Sequence, residues 1–268
     1  MSHHIPRKRF GQHFLHDAHI IHKIVAAIDP QTDDNLVEIG PGLGALTHAL
    51  LPHVSKLNAI EIDRDIIPKL QASAAHFGDL SIHEQDALTF SLATLANHQA
   101  LRVVGNLPYN ISTPLIFHLL EQLNCIKDMH FMLQKEVVDR LAAHPGNKVY
   151  GRLSVMVQYH CQVKKLFTVS PGAFTPPPQV DSAVVRLIPY PSPPHVANDL
   201  QTLRKIVGTA FGQRRKTLRK SLSGLVSATQ WIELNIDPQL RPEQLGVADF
   251  VAISNVIAPT KHDGHKKE

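Results

Sequence analysis

The sequence predicts an α/β protein, in which a parallel sheet has helices on both faces and a small all-helical C-terminal domain follows. Three observations lead to this prediction. Short runs rich in Val, Ile and Leu alternate with helical patterns over most of the chain, as in βαβ units. The runs around 103 and 131 are apolar on both faces, as expected of strands that helices cover on each side. Beyond about residue 200, only helical patterns remain.

The individual elements follow from the spacing of apolar residues. Strands are predicted at 36–40, 56–63, 80–86, 101–106, 129–134 and 182–188. Helices between the early strands are predicted at 45–54, 64–75 and 113–123. One more helix precedes the sheet, and Asp17 is placed as its N-cap. Its apolar stripe comprises Ile20, Ile21, Ile24, Val25 and Ile28.

A proline-rich stretch, "PYPSPPH" at 189–195, indicates a stiff spacer. We therefore divide the chain into a first domain, 1–190, and a second domain, 191–268. Helices in the second domain are predicted at about 200–211, 214–229 and 242–258. The last residues, "KHDGHKKE", are expected to be disordered.

The composition limits the classes of protein that fit. Hydrophobic residues make up 43% of the chain, which predicts a packed core rather than disorder. No apolar run approaches the roughly 20 residues of a membrane span, and the N-terminus lacks the apolar segment of a secretory signal. The two cysteines are too few for a disulfide framework, so a reducing, cytoplasmic setting is favoured.

Positive charge is concentrated near the C-terminal end. Residues 200–268 contain 11 Lys and Arg against 6 Asp and Glu, whereas the remaining 199 residues contain 16 against 17. This excess favours a polyanionic partner, although a solvated helix face would give the same count. The spacing of Leu218, Leu222 and Leu225 predicts a core-facing stripe, opposite the cations. The candidate phosphate contacts are Arg214, Arg215, Lys216, Arg219 and Lys220.

The stretch "VEIGPGLGALT" reads as a strand, a Gly-rich turn and the start of a helix. Gly40, Gly42 and Gly44 allow a ligand to approach the backbone at the carboxyl end of the first strand. Glu61 ends the second strand, where it can accept hydrogen bonds from ribose hydroxyls, and Asp86 ends the third, where it can meet an adenine amine. Together they indicate an adenosine-containing cofactor, although the Gly motif alone also fits a dinucleotide or a purely structural turn.

The fourth strand ends in Asn106-Leu107-Pro108-Tyr109. A methyl transfer to an adenine amine would need two acceptors for the two hydrogens of that nitrogen. The side-chain oxygen of Asn106 and the carbonyl of Leu107 can supply them. Pro108 would fix the turn, and Tyr109 would offer a face on which a flipped base can stack. We expect catalysis by positioning and electrostatics.

These motifs resemble those of the ribosomal RNA adenine N6,N6-dimethyltransferase family, and its bacterial small-subunit branch in particular. The resemblance spans residues 7 to 188 and extends into the C-terminal part. The matching stretches are "RKRFGQHFL", "VEIGPGLGALT", "EID", "QDAL", "VVGNLPYNIS", "MLQKEV", "YGRLSV", "FTPPPQVDSAVVRL" and "FGQRRKTLRKSL". The Gly motif alone is not specific, whereas NLPY together with GQHFL and FTPPPQVDS is highly specific.

The resemblance implies a Rossmann-like catalytic domain that uses S-adenosyl-L-methionine, with residues 1–30 as an N-terminal lid. It implies two methylations on each of two adjacent adenosines in the 3′-terminal hairpin of 16S rRNA, during biogenesis of the 30S subunit. The cofactor residues carried over by position are His13, Leu15, Gly40, Glu61, Asp86 and Asn106. Position 13 is often Asn in the family. Phe174 resembles the aromatic residue that sandwiches the target base, although an ordinary core Phe is the alternative.

Alternatives remain open at this point. A large-subunit rRNA methyltransferase of the antibiotic-resistance type shares the motifs, and a ribosome-assembly factor could methylate as a secondary activity. A DNA adenine enzyme would more often have an acidic residue at position 106. We expect a monomer and no metal site. His13, His16, His19 and His22 recur at every third position, but the first pair lies before the helix cap and a sulfonium donor requires no metal.

Overall fold

The computed structural model describes residues 13–258, and the predictions for the first twelve residues and for the C-terminal tail lie outside this range. A seven-stranded sheet forms its centre, in the order β4-β3-β2-β5-β6-β9-β7. Its strands are β2 (Asn35–Ile39), β3 (Leu57–Glu61), β4 (Leu80–Glu84), β5 (Leu101–Asn106), β6 (Ile126–Gln134), β7 (Cys161–Val169) and β9 (Ser182–Pro189). The short strands β1 (Phe14–Leu15) and β8 (Phe174–Thr175) pair antiparallel as a second sheet.

The described part of the chain also contains eleven α-helices. They are α1 (Ala18–Ile28), α2 (Ala45–Leu50), α3 (Ile67–Ala74), α4 (Ala93–Ala96), α5 (Ser112–Leu120), α6 (Lys135–Leu141), α7 (Arg152–His160), α8 (Leu200–Gly212), α9 (Leu218–Ser221), α10 (Ala228–Leu234) and α11 (Val247–Ile257). The predicted cap of α1 is confirmed, since the Asp17 carboxylate accepts a hydrogen bond from the Ile20 amide at 3.1 Å. Within residues 13–258, no helix combines the length and hydrophobicity needed to span a bilayer.

Five neighbouring strands, β4, β3, β2, β5 and β6, run parallel, and β9 runs antiparallel to β6. Leu36 and Val104 belong to an apolar cluster that also contains buried residues of α1 and α2. Val37 and Val103, which alternate with them and point to the opposite face, are equally buried. Both faces of the sheet are therefore covered, as predicted, and the carboxyl ends of the parallel strands share one edge.

The predicted helix over 214–229 is wrong. In the structure α9 ends after one turn, Gly224 takes a left-handed conformation with φ of 77°, and α10 begins beyond Ser227. The Ser227 hydroxyl accepts a hydrogen bond from the Gln230 amide and so starts a new helix inside the predicted one. The leucine spacing still marks burial, because Leu218 and Leu222 are both in the core.

The described chain forms two compact units. One contains the residues up to Asp139 together with Gln162–Pro189, and the other contains Arg140–Cys161 and everything from Tyr190 onward. The change at Tyr190 coincides with the sequence-based division. The segment Arg140–Cys161 differs, because α7 packs against α8 and α11 of the second unit.

A buried ionic cluster ties the sheet together at the start of its strands. The guanidinium of Arg102 on β5 contacts Asp34, just before β2, at 2.6 Å and Asp128 on β6 at 3.1 Å. It also donates hydrogen bonds to the carbonyls of Ile28 and Asp29, which end α1. One side chain thus joins two strands and a helix at the edge of the sheet opposite to the strands' carboxyl ends.

Candidate active site

A cavity of about 290 Å³ lies at the carboxyl ends of the parallel strands. It is lined by the residues that end β2, β3 and β5, by the loop after β4 and by the segment around β1. The sequence-predicted residues that line it are His13, Leu15, Gly40, Gly42, Glu61, Asp86, Asn106, Leu107, Pro108 and Tyr109. The topology therefore brings one set of motifs, spread over nearly 100 residues, to a single site.

The glycine turn after β2 forms one wall of the cavity. Gly40 and Gly42 have φ of 67° and 57°, in the left-handed region that other residues avoid. A Cβ atom at Gly42 would lie 3.2 Å from the ring of Phe14, so a side chain there would also crowd the N-terminal strand. Conformation and space both favour glycine, and the backbone stays open to a ligand.

The Glu61 carboxylate is held at the end of β3 by three backbone amides. Its Oε1 accepts hydrogen bonds from Ile62 and Asp63, each at 2.9 Å, and its Oε2 accepts one from Gly42 at 3.2 Å. Burial raises the pKa of this carboxyl, and the three amide hydrogen bonds oppose that rise. The side chain is fixed in position, and Oε2 still has acceptor capacity for a ligand hydroxyl.

Glu38 is a second buried acid of the cavity, and the sequence reasoning missed it. It lies inside β2, accepts a hydrogen bond from the Thr47 hydroxyl at 2.6 Å and is fully buried. Burial raises its pKa to about 7, and the negative charge of nearby Glu61 contributes to the rise. An acid in the middle of the apolar run "LVEIG" was the signal that could have found it.

The outer part of the cavity combines an acid with exposed apolar side chains. Asp86 follows β4, and its carboxylate accepts a hydrogen bond from the Leu88 amide at 2.9 Å. Ile62 and Leu43 also line the cavity and remain substantially exposed. An apolar slot beside a fixed carboxylate suits a flat heterocycle that carries an amine.

The Asn106 side chain is oriented by the N-terminal segment. Its Nδ2 donates a hydrogen bond to the His13 carbonyl at 3.0 Å, so the amide nitrogen is engaged and Oδ1 is the remaining acceptor. The next residue, Leu107, is anchored through its amide to the Met132 carbonyl of β6. Within the described residues, the Leu107 carbonyl accepts no hydrogen bond. Two acceptors, the Asn106 oxygen and the Leu107 carbonyl, are thus available at the end of β5.

Two contacts hold the Tyr109 side chain, one to its hydroxyl and one to its ring. Its hydroxyl lies 2.7 Å from Oγ of Ser182, a buried residue at the start of β9, and its ring centroid is 5.4 Å from that of His13. His13 is fixed in turn by a 2.8 Å contact from Nδ1 to the Pro176 carbonyl. Burial raises the pKa of Tyr109, so the hydroxyl stays neutral. Ser182 is a further residue that the sequence reasoning did not assign, although it ends the "VDS" stretch.

Phe174 is not placed in the cavity. Its side chain is 2% exposed and belongs to the apolar cluster that also contains residues of α1 and α2. Its backbone pairs with Leu15 between β8 and β1. In this structure the Phe174 side chain packs in the core, as the alternative of an ordinary core Phe predicts, and its role in stacking the target base stays a prediction.

The candidate phosphate contacts lie in the second unit. Four of them are exposed, whereas Arg214 contacts other residues of the same unit. Arg215, Lys216, Arg219 and Lys220 are exposed. Arg214 instead donates a hydrogen bond to the Lys148 carbonyl, and its guanidinium is 3.9 Å from the carboxylate of Glu243. Arg214 therefore stabilises its own unit, and the other four cations remain available to a polyanion.

Known proteins are similar to this chain over nearly its whole length. Residues 3–259 match the model of the family described as ribosomal RNA adenine dimethylase. The chain is 55% identical over 257 residues to ribosomal RNA small subunit methyltransferase A of Marinobacter nauticus, covering 96% of this chain and 93% of that protein. It is 57% identical over 256 residues to the protein of the same name from Pseudomonas aeruginosa, covering 95% and 96%.

Solved structures show the same fold. A dimethyladenosine transferase from Plasmodium falciparum superposes with a TM-score of 0.77 at 28% identity, over 90% of this chain and 96% of that one. The 23S rRNA methyltransferase ErmE superposes with a TM-score of 0.73 at 20% identity, over 91% and 99%. The Rossmann-like methyltransferase sheet predicted from the sequence is confirmed by these similarities.

Proposed function

The chain belongs to the ribosomal RNA adenine dimethylase family, and we propose that it dimethylates two adjacent adenosines in the 3′-terminal hairpin of small-subunit rRNA. It is an S-adenosyl-L-methionine-dependent methyltransferase. The methyl groups are transferred to the N6 amines of these adenosines, and the substrate is the 30S subunit or its precursor. The relatives named for the small subunit favour this substrate over large-subunit rRNA.

One observation carries the proposal: Asn106 and Leu107, whose side-chain oxygen and carbonyl are available as hydrogen-bond acceptors, line the same cavity as Glu61 and Asp86. An adenine N6 amine is planar, because its lone pair is delocalised into the ring. Two acceptors on its two hydrogens favour the pyramidal form, which can attack a methyl group. Tyr109 gives the base a stacking surface. These residues act by positioning and by electrostatics, with no covalent intermediate on the protein.

The residues of the cavity fit the cofactor. S-adenosyl-L-methionine supplies an electrophilic methyl group on a sulfonium, and it carries an ammonium, a ribose and an adenine. Glu61 suits the ribose hydroxyls, Asp86 suits the adenine amine, and the apolar surface of Ile62 suits the adenine face. The buried carboxyl of Glu38 suits a cationic group. His13, Leu15, Gly40 and Gly42 complete the walls.

The proposal is tested by incubating the protein with S-adenosyl-L-methionine that carries a labelled methyl group. Small subunits without the modification, naked rRNA and large-subunit rRNA are offered separately, and the methylated positions are mapped. Label on two adjacent adenosines near the 3′ end of small-subunit rRNA is expected. Label found only on large-subunit rRNA would contradict the proposal. The proposal would also be contradicted if the protein promoted subunit assembly but transferred no labelled methyl group to any RNA.

Glu61→Gln should weaken the binding of S-adenosyl-L-methionine by about 10- to 100-fold. The amide keeps the shape of the side chain but cannot accept at Nε2, so a charged hydrogen bond worth about 1.5–3 kcal/mol is lost. Calorimetric titration measures the change. Glu84→Gln is the control, because Glu84 is the register partner of Glu61 on β4 but does not line the cavity. Equal affinities for wild type and Glu61→Gln would contradict the ribose assignment.

Ser182→Ala should lower turnover about five- to tenfold with little change in cofactor affinity, because Tyr109 loses the partner that fixes its ring. Tyr109→Phe removes the same hydrogen bond from the other side. The double variant should therefore be no slower than the worse single variant. Single-turnover rates measure this coupling, and Ser182→Thr, which keeps the hydroxyl, should recover part of the rate. Additive losses would show that the two residues act independently.

We also propose that the exposed cations of the second unit bind the phosphate backbone of the substrate. Replacing Lys216, Arg219 and Lys220 together by Ala should weaken subunit binding and reduce its salt dependence by up to ~3 in the log–log slope. Binding to small subunits across a salt series measures the slope. Cofactor affinity is the control, because its cavity is lined by the first unit only. An unchanged slope would show that these cations are merely solvated.

A further inference from the structure

We propose that a second cavity, in the unit that contains α8 to α11, binds one unpaired nucleotide of the rRNA substrate. This inference rests on the proposed function and adds to it a site that takes no part in the chemistry. The cavity has a volume of about 710 Å³ and is formed by α9, α10 and the turns that follow them. We call it the Trp231 cavity.

Backbone hydrogen bonds hold in place the helices and turns that form the Trp231 cavity. The amide of Arg219 donates to the Pro238 carbonyl at 2.9 Å, and that of Leu218 donates to the Leu240 carbonyl at 2.8 Å. These bonds tie the turn after α10 to α9. Asn235 ends α10 in a left-handed conformation, with its amide bonded to the Ile232 carbonyl. The walls are therefore held independently of any ligand.

Several residues that line the Trp231 cavity are apolar. Trp231 is 7% exposed and lines it, together with Val226 and Pro238. Ile232 stands at its edge with 80% of its surface exposed, more than the other exposed large apolar side chains of the described chain. Apolar and aromatic surfaces of this kind take up unstacked nucleic-acid bases, because every base has an apolar face.

Other residues that line the Trp231 cavity are polar. Asn235 and Asp237 line it, and one Asp237 oxygen is engaged by the Gln239 amide, which leaves the second oxygen for a ligand. The exposed guanidinium of Arg219 also lines the cavity, and exposed Lys220 follows it. The apolar residues can thus contact the face of a base, Asn235 and Asp237 can form hydrogen bonds with its edge, and Arg219 can contact a phosphate.

The charge of the neighbourhood decides the class of occupant. The lining contains one cation, Arg219, and one anion, Asp237, and exposed Lys216 and Lys220 lie close to Arg219 in the chain. This excess of cations fits a polyanion better than an apolar peptide, and the family acts on ribosomal RNA. In an RNA duplex the base faces are stacked and out of reach, so a single-stranded or looped-out nucleotide is required. The Trp231 cavity would therefore recognise an unpaired position of the rRNA.

The test uses the intrinsic fluorescence of Trp231, which is the only tryptophan in the 268 residues. A single-stranded oligoribonucleotide of about ten nucleotides, within the span of known single-strand sites, is titrated into the full-length protein. Saturable quenching is expected, with a much smaller effect from a duplex of the same sequence. Unchanged fluorescence, while filter binding shows that the oligonucleotide is bound, would overturn the proposal.

Two variants make the assignment specific. Ile232→Ser should weaken binding of the oligonucleotide at least about fivefold, in line with loss of a stacking contact. Val196→Ser is the matched control, because Val196 is another exposed apolar residue of the same unit, 66% exposed, and does not line the cavity. Equal affinities for Ile232→Ser and Val196→Ser would overturn the proposal.

The methylation assay separates this inference from the proposed function. Normal methylation of small-subunit rRNA with unchanged Trp231 fluorescence would overturn the second site alone. Saturable quenching without methylation of small-subunit rRNA would overturn the proposed function and leave the nucleotide site supported.

Discussion

Replacing Asn106 by Ala should lower methyl transfer at saturating substrate about 100-fold or more, roughly 3 kcal/mol in activation free energy. The reason is geometric. Nδ2 is engaged by the His13 carbonyl, so Oδ1 is the atom left to accept from the adenine amine. The hydrogen bond from the adenine amine to Oδ1 strengthens as the amine nitrogen becomes pyramidal. Loss of this hydrogen bond should therefore reduce turnover more than cofactor affinity. Single-turnover transfer of a labelled methyl group, with calorimetry for the cofactor, separates the two effects.

The chain provides a matched control for this variant. Asn110 also lines the cavity, is exposed, and follows Asn106 by four residues, so Asn110→Ala should stay near the wild-type rate. Asn106→Asp keeps an acceptor but sets a carboxylate oxygen against the His13 carbonyl, and we expect an intermediate rate. Near wild-type turnover of Asn106→Ala would show that the Asn106 oxygen does not assist the attack.

Replacing Arg102 by Met should destabilise the protein by about 3–5 kcal/mol, because the buried carboxylates of Asp34 and Asp128 lose their countercharge. Burial acts to raise the pKa of both acids, but their hydrogen bonds and ion pairs outweigh it and hold each pKa below its ordinary value. Their contribution is therefore complete above the unfolded pKa and is lost as the pH falls through the folded one. Urea unfolding followed by circular dichroism measures the loss.

Lys127→Met is the control for the ionic cluster. Lys127 also contacts Asp34, at 3.2 Å, but its side chain is 58% exposed, so its removal should cost less than about 1 kcal/mol. Adding Asp34→Asn to Arg102→Met should restore part of the stability, since one unpaired charge disappears. If Arg102→Met were as stable as Lys127→Met, the cluster would not hold the sheet together.

The parallel strands β2, β3, β5 and β6 could be predicted from the sequence because they are largely apolar runs that are mostly buried, and β3 and β5 end at chemically distinctive residues, Glu61 and Asn106. The edge strand β7 was missed for the opposite reason. Its sequence "CQVKKLFTV" has two central lysines and no clean alternation, and seven of its nine residues are exposed or only partly buried. Edge strands that carry lysine resist pairing with other chains, and that property removes the pattern on which sequence reading depends.

The site was predictable where its chemistry lies in one contiguous motif, and less so where partners are distant in the chain. Asn106 and Tyr109 were found from their own stretch. Ser182 was not, because its role appears only when β9 pairs with β6 and brings its hydroxyl to Tyr109, 73 residues away. The burial of Phe174 could not be predicted either, because its motif gives the residue type but not the direction of the side chain. Only tertiary packing sends that ring into the core.

The raised pKa of Glu38 has a consequence for the uptake of a cationic ligand. With a folded-state pKa of about 7, this one carboxyl contributes fully to stability below its unfolded pKa, and its contribution is lost as the pH rises through the folded pKa. A positively charged molecule entering the cavity favours the ionised carboxylate. Binding below pH 7 should then release a proton to the solvent, and apparent affinity should rise with pH until the carboxylate is already ionised. The methyl donor and a proton would thus compete for the buried carboxylate of Glu38.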